Sequence, residues 1–143
     1  RYLLQSSEKP LIPLSEELAF IKAYYFLLKT RFDERLLLDI YVGNEIAQQK
    51  IPPLTLQILL ENAVKHNIIS QETPLHIVIS EVNSNKVVIS NTLQRRAQSV
   101  VSTQTGLANL AAKYQLMQQP GPEIFETQDK FSVQITLLPN QAS

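Results

Sequence analysis

The densest grouping of side chains able to do chemistry is Glu61-Asn62-Ala63-Val64-Lys65-His66-Asn67, which sets a carboxylate, an amide, an ammonium and an imidazole within about two helical turns. That mixture suits phosphate and metal. An amide or carboxylate oxygen can ligate Mg²⁺, which prefers hard oxygen ligands and keeps several waters, and a lysine adds a point charge for phosphate. Helix geometry offers a plainer reading of the same residues, with Glu61 and Lys65 as an ordinary i,i+4 salt bridge and Asn62 and His66 as a solvated pair.

Composition removes several other chemistries. The chain has no cysteine, which excludes disulfide frameworks, thiolate zinc sites and thiol nucleophiles. Gly43, Gly106 and Gly121 are its only glycines, so an intact Walker or Rossmann phosphate loop is excluded as well. Thirteen basic residues balance thirteen acidic ones, which argues against a polyelectrolyte partner, and the scattered tyrosines form no aromatic platform for nucleic acid. The histidines are His66 and His76, and His76 alternates with Leu75, Ile77 and Ile79 as a surface residue of a strand would. A metal site built from protein ligands alone is not expected. At 143 residues and 44% hydrophobic content the chain can bury a core, burial of roughly 70% of the unfolded surface being normal at this size. Its longest apolar run, Ala23 to Leu28, is far short of the roughly 18 residues that span a bilayer. Arg1 begins no signal-peptide pattern, and the chain is expected to be a segment of something longer.

The elements that must position this chemistry follow from periodicity. Residues 1–13, with Pro10 and Pro13, read as a connector, and 14–143 as one domain. Ser15 is placed as an N-cap with Glu16 and Glu17 in the first turn, followed by Leu18, Ile21, Tyr25, Leu28 and Phe32 at spacings of three and four. Ala19, Phe20, Tyr24 and Leu27 widen that stripe beyond a single contact face. Leu36 to Val42 reads as a strand entering a turn at Gly43-Asn44. A second helix is predicted from Leu54 to about Asn67, with Leu56, Leu59, Leu60, Ala63 and Val64 on one side and Glu61, Asn62, Lys65 and His66 in a polar arc opposite. Thr73 to Val82 and Lys86 to Asn91 form a hairpin across Asn83-Ser84-Asn85. Thr92 to Gln104 is a polar loop or lid in which Arg95 and Arg96 are read as solvated. Gly106 then opens a third helix carrying Leu107, Leu110, Tyr114 and Met117, and Glu123 to Thr127 with Phe131 to Leu138 close the chain as a second hairpin. The predicted fold class is α+β, a two-layer sandwich with helices on one face of a mixed sheet.

The stretch Ile51-Pro52-Pro53-Leu54-Thr55-Leu56-Gln57 leading into Glu61-Asn62-Ala63-Val64-Lys65-His66 resembles the asparagine box of sensor histidine kinases of the LytS-like group. Upstream, Pro13-Leu14-Ser15-Glu16-Glu17-Leu18 with Ile21, Tyr24, Leu27, Lys29, Arg31 and Phe32 is similar to the segment that follows the phosphoacceptor region in that group. Downstream, Gly106-Leu107-Ala108-Asn109-Leu110 resembles the remnant of its second glycine box. The resemblance implies a Bergerat-type GHKL ATPase fold that takes ATP and Mg²⁺ between helices and a lid at about 92–104. It implies Asn62 as the Mg²⁺ ligand, Glu61 as the group that orients or polarises around the transferred phosphoryl, and Lys65 and His66 towards the phosphates. Gly106 and Leu107 would offer backbone N–H groups at a helix N-terminus, with Asn109 following. As partners it implies a phosphoacceptor helix upstream of this segment, a response regulator, a homodimer and no nucleic acid. The whole would be the cytoplasmic part of a bacterial protein anchored in the inner membrane.

The chain also departs from the family pattern. In Ser90-Asn91-Thr92-Leu93-Gln94-Arg95, Asn91 stands where the family places an adenine-binding aspartate, and the glycines that follow it are replaced. An asparagine carbonyl still accepts from an amino group, without the carboxylate's charge-assisted strength. A second reading, a degenerate module that serves as a docking or dimerisation scaffold without useful ATP binding, rests on these departures. A third, a related ATPase or anti-sigma-type kinase, is disfavoured by the pattern from Leu14 to Phe32.

Overall fold

The computed structural model describes residues 11–94 and 102–139. Strand β1 (Ile12–Pro13) runs directly into α1 (Leu14–Phe32); β2 (Leu36–Tyr41), β3 (Lys50–Ile51) and α2 (Thr55–His66) follow. The second half comprises β4 (Leu75–Asn83), β5 (Lys86–Thr92), α3 (Ser102–Leu116), β6 (Glu123–Glu126) and β7 (Lys130–Thr136). The main sheet has the order β2-β4-β5-β7-β6, parallel between β2 and β4 and antiparallel elsewhere. A parallel pair needs a long crossover, and α2 lies within the one that joins β2 to β4. The predicted mixed sheet with helices on one face is the fold observed.

Strand alternation sorts the two faces of the sheet. Leu36, Leu75, Ile77, Ile79, Val87, Ile89, Val133 and Ile135 are buried on the inner face with Leu14, Leu18 and Ile21 of α1, Leu56, Leu59, Leu60 and Ala63 of α2, and Leu110 and Tyr114 of α3. On the other face Asp39 of β2 meets His76 of β4, Oδ2 to Nε2 at 2.7 Å, which satisfies the lone strand histidine. Tyr114 is fully buried and its hydroxyl donates to the Thr136 carbonyl, pinning α3 to β7. Burial holds that phenol's proton far above the usual tyrosine range.

Several boundaries differ from the sequence expectation. Ser15 is exposed inside α1 and caps nothing; Pro13 stands at the cap position, and the Leu14 N–H is satisfied by the Gln49 carbonyl at 2.7 Å. Leu11 to Pro13 are part of the fold, since β1 pairs with β3 and Leu11 and Ile12 pack on the core. Residues 1–10 of the expected connector lie outside the described residues. The third helix begins at Ser102, a turn before Gly106, because serine and threonine are readily accepted in a first helical turn. Of the expected lid, Thr92 is strand, 102–104 are helix and 95–101 lie outside the described residues, with Arg95 and Arg96 among them. Replacing Tyr114 by Phe leaves the Thr136 carbonyl without its buried donor and is expected to lower stability by about 1–3 kcal/mol, measured as a reduced urea midpoint at unchanged m-value.

Candidate functional site

Helix α2 carries most of the candidate chemistry, and it is tethered at both ends. Its N-terminus is held by Glu17 of α1, a buried carboxylate: Leu54 N–H donates to Oε2 at 2.8 Å and Leu56 N–H to Oε1 at 2.9 Å. Two amides that helix geometry leaves orphaned are thus capped by a side chain 37 and 39 residues away. The grip accommodates an unusual backbone, for Leu54 takes a left-handed φ of 71° with its side chain exposed. Thr55, fully buried, donates its hydroxyl back to the Pro52 carbonyl at 2.6 Å and closes the same turn. At the other end buried Asn67 donates from Nδ2 to the Ala63 carbonyl at 2.8 Å and accepts at Oδ1 from the Gln94 N–H at 2.7 Å, while Ile68 N–H donates to the Gln94 carbonyl. The helix end and the chain leaving β5 are thereby fixed to each other.

The predicted polar arc divides into two directions. At 100° per residue, Gln57, Glu61, Val64 and Lys65 fall on one side and Ile58, Asn62 and His66 on the next. Glu61, Val64 and Lys65 of the first side line, with Tyr24, Leu28 and Arg31 of α1, an open cavity of ≈ 470 Å³. There Glu61 Oε2 accepts from Gln57 Nε2 at 3.0 Å and from the Tyr24 hydroxyl at 3.4 Å, so the expected Glu61–Lys65 salt bridge does not form. The second side turns towards α3, where a Cβ placed on Gly106 would stand 2.9 Å from Ile58 Cγ2; this glycine permits the close approach of two helices. Asn62 has its amide nitrogen buried without a hydrogen-bond partner among the described residues, while His66 is half-buried. A buried amide left unpaired is costly, and the O/N assignment of such a group follows from its network.

The remaining candidates lie on elements packed against α2. Asn91 is buried on the inner side of β5, where its Nδ2 donates to the Thr92 carbonyl at 2.7 Å, and its Oδ1 has no partner among the described residues. Gly106 and Leu107 are the fifth and sixth residues of α3, not its first, so their N–H groups fall within the helical ladder and do not project from an N-terminus. Asn109 is exposed further along the same helix. Among the described residues no group of three or more His, Asp or Glu side chains stands together as a metal cluster would.

Sequence reasoning missed Glu17, Tyr24, Gln57 and Asn67 as parts of the site. Glu17 left a signal, since it lies in phase with buried Leu14, Leu18 and Ile21, where an acid needs a partner. Tyr24 and Gln57 left none, because their shared target is set by how α1 packs on α2.

The chain is similar to bacterial sensor kinases. It is 40% identical over 63 residues to the sensor protein LytS of Enterococcus faecalis, a match covering 44% of this chain and 11% of that protein. It is 40% identical over 55 residues to the sensor histidine kinase BtsS of Escherichia coli, covering 38% and 10%, and 30% identical over 88 residues to LytS of Oceanobacillus iheyensis, covering 60% and 15%. The matches therefore span about a tenth to a seventh of these relatives. No family model matches. Among solved structures, the catalytic domain of histidine kinase ThkA superposes with a TM-score of 0.52 at 14% identity, covering 90% of this chain and 97% of that one. Full-length ShkA in complex with AMPPNP gives 0.53 at 16% identity, covering 92% and 32%. The fold is that of histidine kinase catalytic domains.

Replacing Glu17 by Ala strips a buried and a part-buried N–H group of their acceptor and is expected to cost about 2–4 kcal/mol, with Gln, which keeps one acceptor, costing less. Burial raises the Glu17 pKa above its ordinary value, outweighing the backbone N–H groups of Leu56 and Leu54 that lower it. Between the ordinary and the raised value the folded protein therefore holds a proton that the unfolded chain has released. Glu17's titration is expected to add stability as pH falls through that window and to lose it as pH rises, and Glu17→Gln to remove this part of the pH dependence, read by urea titrations between pH 4.5 and 7.5.

Proposed function

We propose that this chain, a relative of the LytS-type sensor histidine kinases with the fold of their catalytic domains, binds Mg²⁺–ATP and donates its γ-phosphoryl to a histidine elsewhere in the parent protein. The observation that carries the reading is Asn62. It stands in the asparagine-box sequence, on a helix clamped at both ends, and its amide nitrogen is buried with no hydrogen-bond partner among the described residues. The unpaired nitrogen is a donor that a phosphate oxygen would satisfy, while the oxygen of the same amide is a hard ligand suited to Mg²⁺. The residues present fit such a group. Bound there, Mg²⁺ would supply charge neutralisation for the phosphates.

The roles of the other residues follow from placement. His66, one turn beyond Asn62 on the same side, would bring a hydrogen-bond donor towards phosphate, and Lys65, exposed at the edge shared with the α1 cavity, would reach round with its long side chain to add positive charge. Asn91 offers Oδ1 as a neutral acceptor for the amino group of a base, weaker than an aspartate would be. Gly106 serves by letting α3 close on α2, while Leu107 packs on the core and Asn109 stays available on the exposed side of α3. Glu61, on the side of α2 away from Asn62, is the group that would face an incoming acceptor histidine. Phosphoryl transfer asks mainly for positioning and charge, which such a set provides. The acceptor helix, a response regulator, a second copy of the parent protein and its anchoring in a bacterial inner membrane, with this domain on the cytoplasmic side, belong to the same proposal. Similarity to named sensor kinases favours it over a scaffold that has lost ATP binding.

The test is a thermal scan with and without millimolar Mg²⁺–ATP. Ligand at about 100 times Kd adds roughly 2.7 kcal/mol, and at about 3 °C per kcal/mol for a chain of this size the midpoint is expected to rise by about 9 °C. Asn62→Ala is expected to abolish the Mg²⁺-dependent part of the rise. A rise that survives Asn62→Ala would remove the metal-ligand role, and no rise at any concentration would favour the scaffold.

A further inference from the structure

Glu61 carries two side-chain donors on a single oxygen. Gln57 Nε2, one turn earlier on α2, and the Tyr24 hydroxyl, from α1, both donate to Oε2, at 3.0 and 3.4 Å. Oε1 has no partner among the described residues, and Glu61 lines the open cavity between the two helices. Arg31 and Lys65 line the same cavity, yet neither is within ion-pair distance of the carboxylate. The Tyr24 ring is itself steadied by Phe20, stacked with 14° between planes and 6.2 Å between centroids. Carboxylates on exposed helix surfaces rotate freely among rotamers and readily collapse onto an i+4 lysine. Here both donors fall on one oxygen and leave the other without a protein partner among the described residues.

We infer that Tyr24, together with Gln57, is a positioning residue that clamps Oε2 of Glu61 so that Oε1 is presented as a single acceptor to the imidazole N–H of the phosphoacceptor histidine. The inference rests on the kinase reading given above and deepens it at one residue. A neutral imidazole attacks phosphorus through one nitrogen while its other nitrogen bears a proton. As the N–P bond forms and the bond from phosphorus to the ATP β,γ-bridging oxygen breaks, positive charge grows on the ring and ADP leaves. An oriented carboxylate oxygen accepting that N–H stabilises the charge without taking part in the bond exchange. Tyr24 remains a donor throughout, since burial, followed by the negative charge and hydrogen bond of Glu61, raises its pKa above the ordinary value.

The experiment measures phosphohistidine formation from Mg²⁺–ATP in the full-length parent protein, with kcat and KM for ATP determined separately. Tyr24→Phe removes only the hydroxyl and is expected to lower kcat about three- to tenfold, the rate equivalent of one hydrogen bond, at unchanged KM. Gln57→Met is expected to act in the same direction. In a Glu61→Gln background the residual rate is expected to be insensitive to Tyr24→Phe, because the group being positioned has lost its charge. Wild-type kcat in Tyr24→Phe, a rise in KM alone, or the same fractional loss in both backgrounds would overturn the inference and leave the kinase reading standing. Absence of phosphohistidine in the wild type would overturn both.

Discussion

A buried carboxylate reaching from one helix to cap another is the constraint on which the site depends. Glu17 is 4% exposed, and its two oxygens each accept one backbone N–H from the start of α2. Burying an acid without partners would cost several kcal/mol, whereas charge-assisted bonds to orphaned helical amides recover much of that cost and satisfy donors that would otherwise be stranded. The geometry also explains the left-handed Leu54, a conformation costing about 1–2 kcal/mol in a residue with a Cβ. A chain entering the helix along an ordinary path would aim these amides elsewhere. Because α2 starts at a place fixed by α1, the rotation of every later residue about its axis is fixed as well.

That rotation gives adjacent residues different surroundings. Glu61 and Asn62 are neighbours in sequence, yet about 100° on the helix separates a carboxylate facing the α1 cavity from an amide buried on the other side. A helix free to turn by one residue would exchange their roles. Asn67 adds the second tether, and it grips Gln94 with the same side chain, so the end of α2 and the chain beyond β5 move as one. Beneath them the sheet supplies a rigid floor whose inner face is filled by branched aliphatic residues.

Much of this was legible in the sequence where a period or a turn signal spans many residues. The helices over Leu14–Phe32 and Thr55–His66, the strand at Leu36–Tyr41 and both hairpins follow from spacing and turn residues, within a residue or two. The short strands Ile12–Pro13 and Lys50–Ile51 were not legible, because two residues carry no period and their pairing is settled by tertiary contacts. The start of α3 was misplaced because Ser102 to Thr105 are as polar as a loop, while a first helical turn tolerates the same residues. In the site, the residue types of the asparagine box announced phosphate and metal chemistry, but the division of the arc into two directions was not foreseeable. It depends on which neighbours pack where: Tyr24 from 37 residues upstream and Gly106 against Ile58.

Under the proposed function, nucleotide would sit between α2, β5 and the N-terminal half of α3. Amide chemical-shift mapping of this domain, titrated with Mg²⁺–ATP, tests it most directly. Perturbations are expected to cluster at Asn62, His66, Asn91 and Gly106, with the outer sheet face around Asp39 and His76 unchanged. Perturbations confined to that outer face, or none at saturating nucleotide, would contradict it.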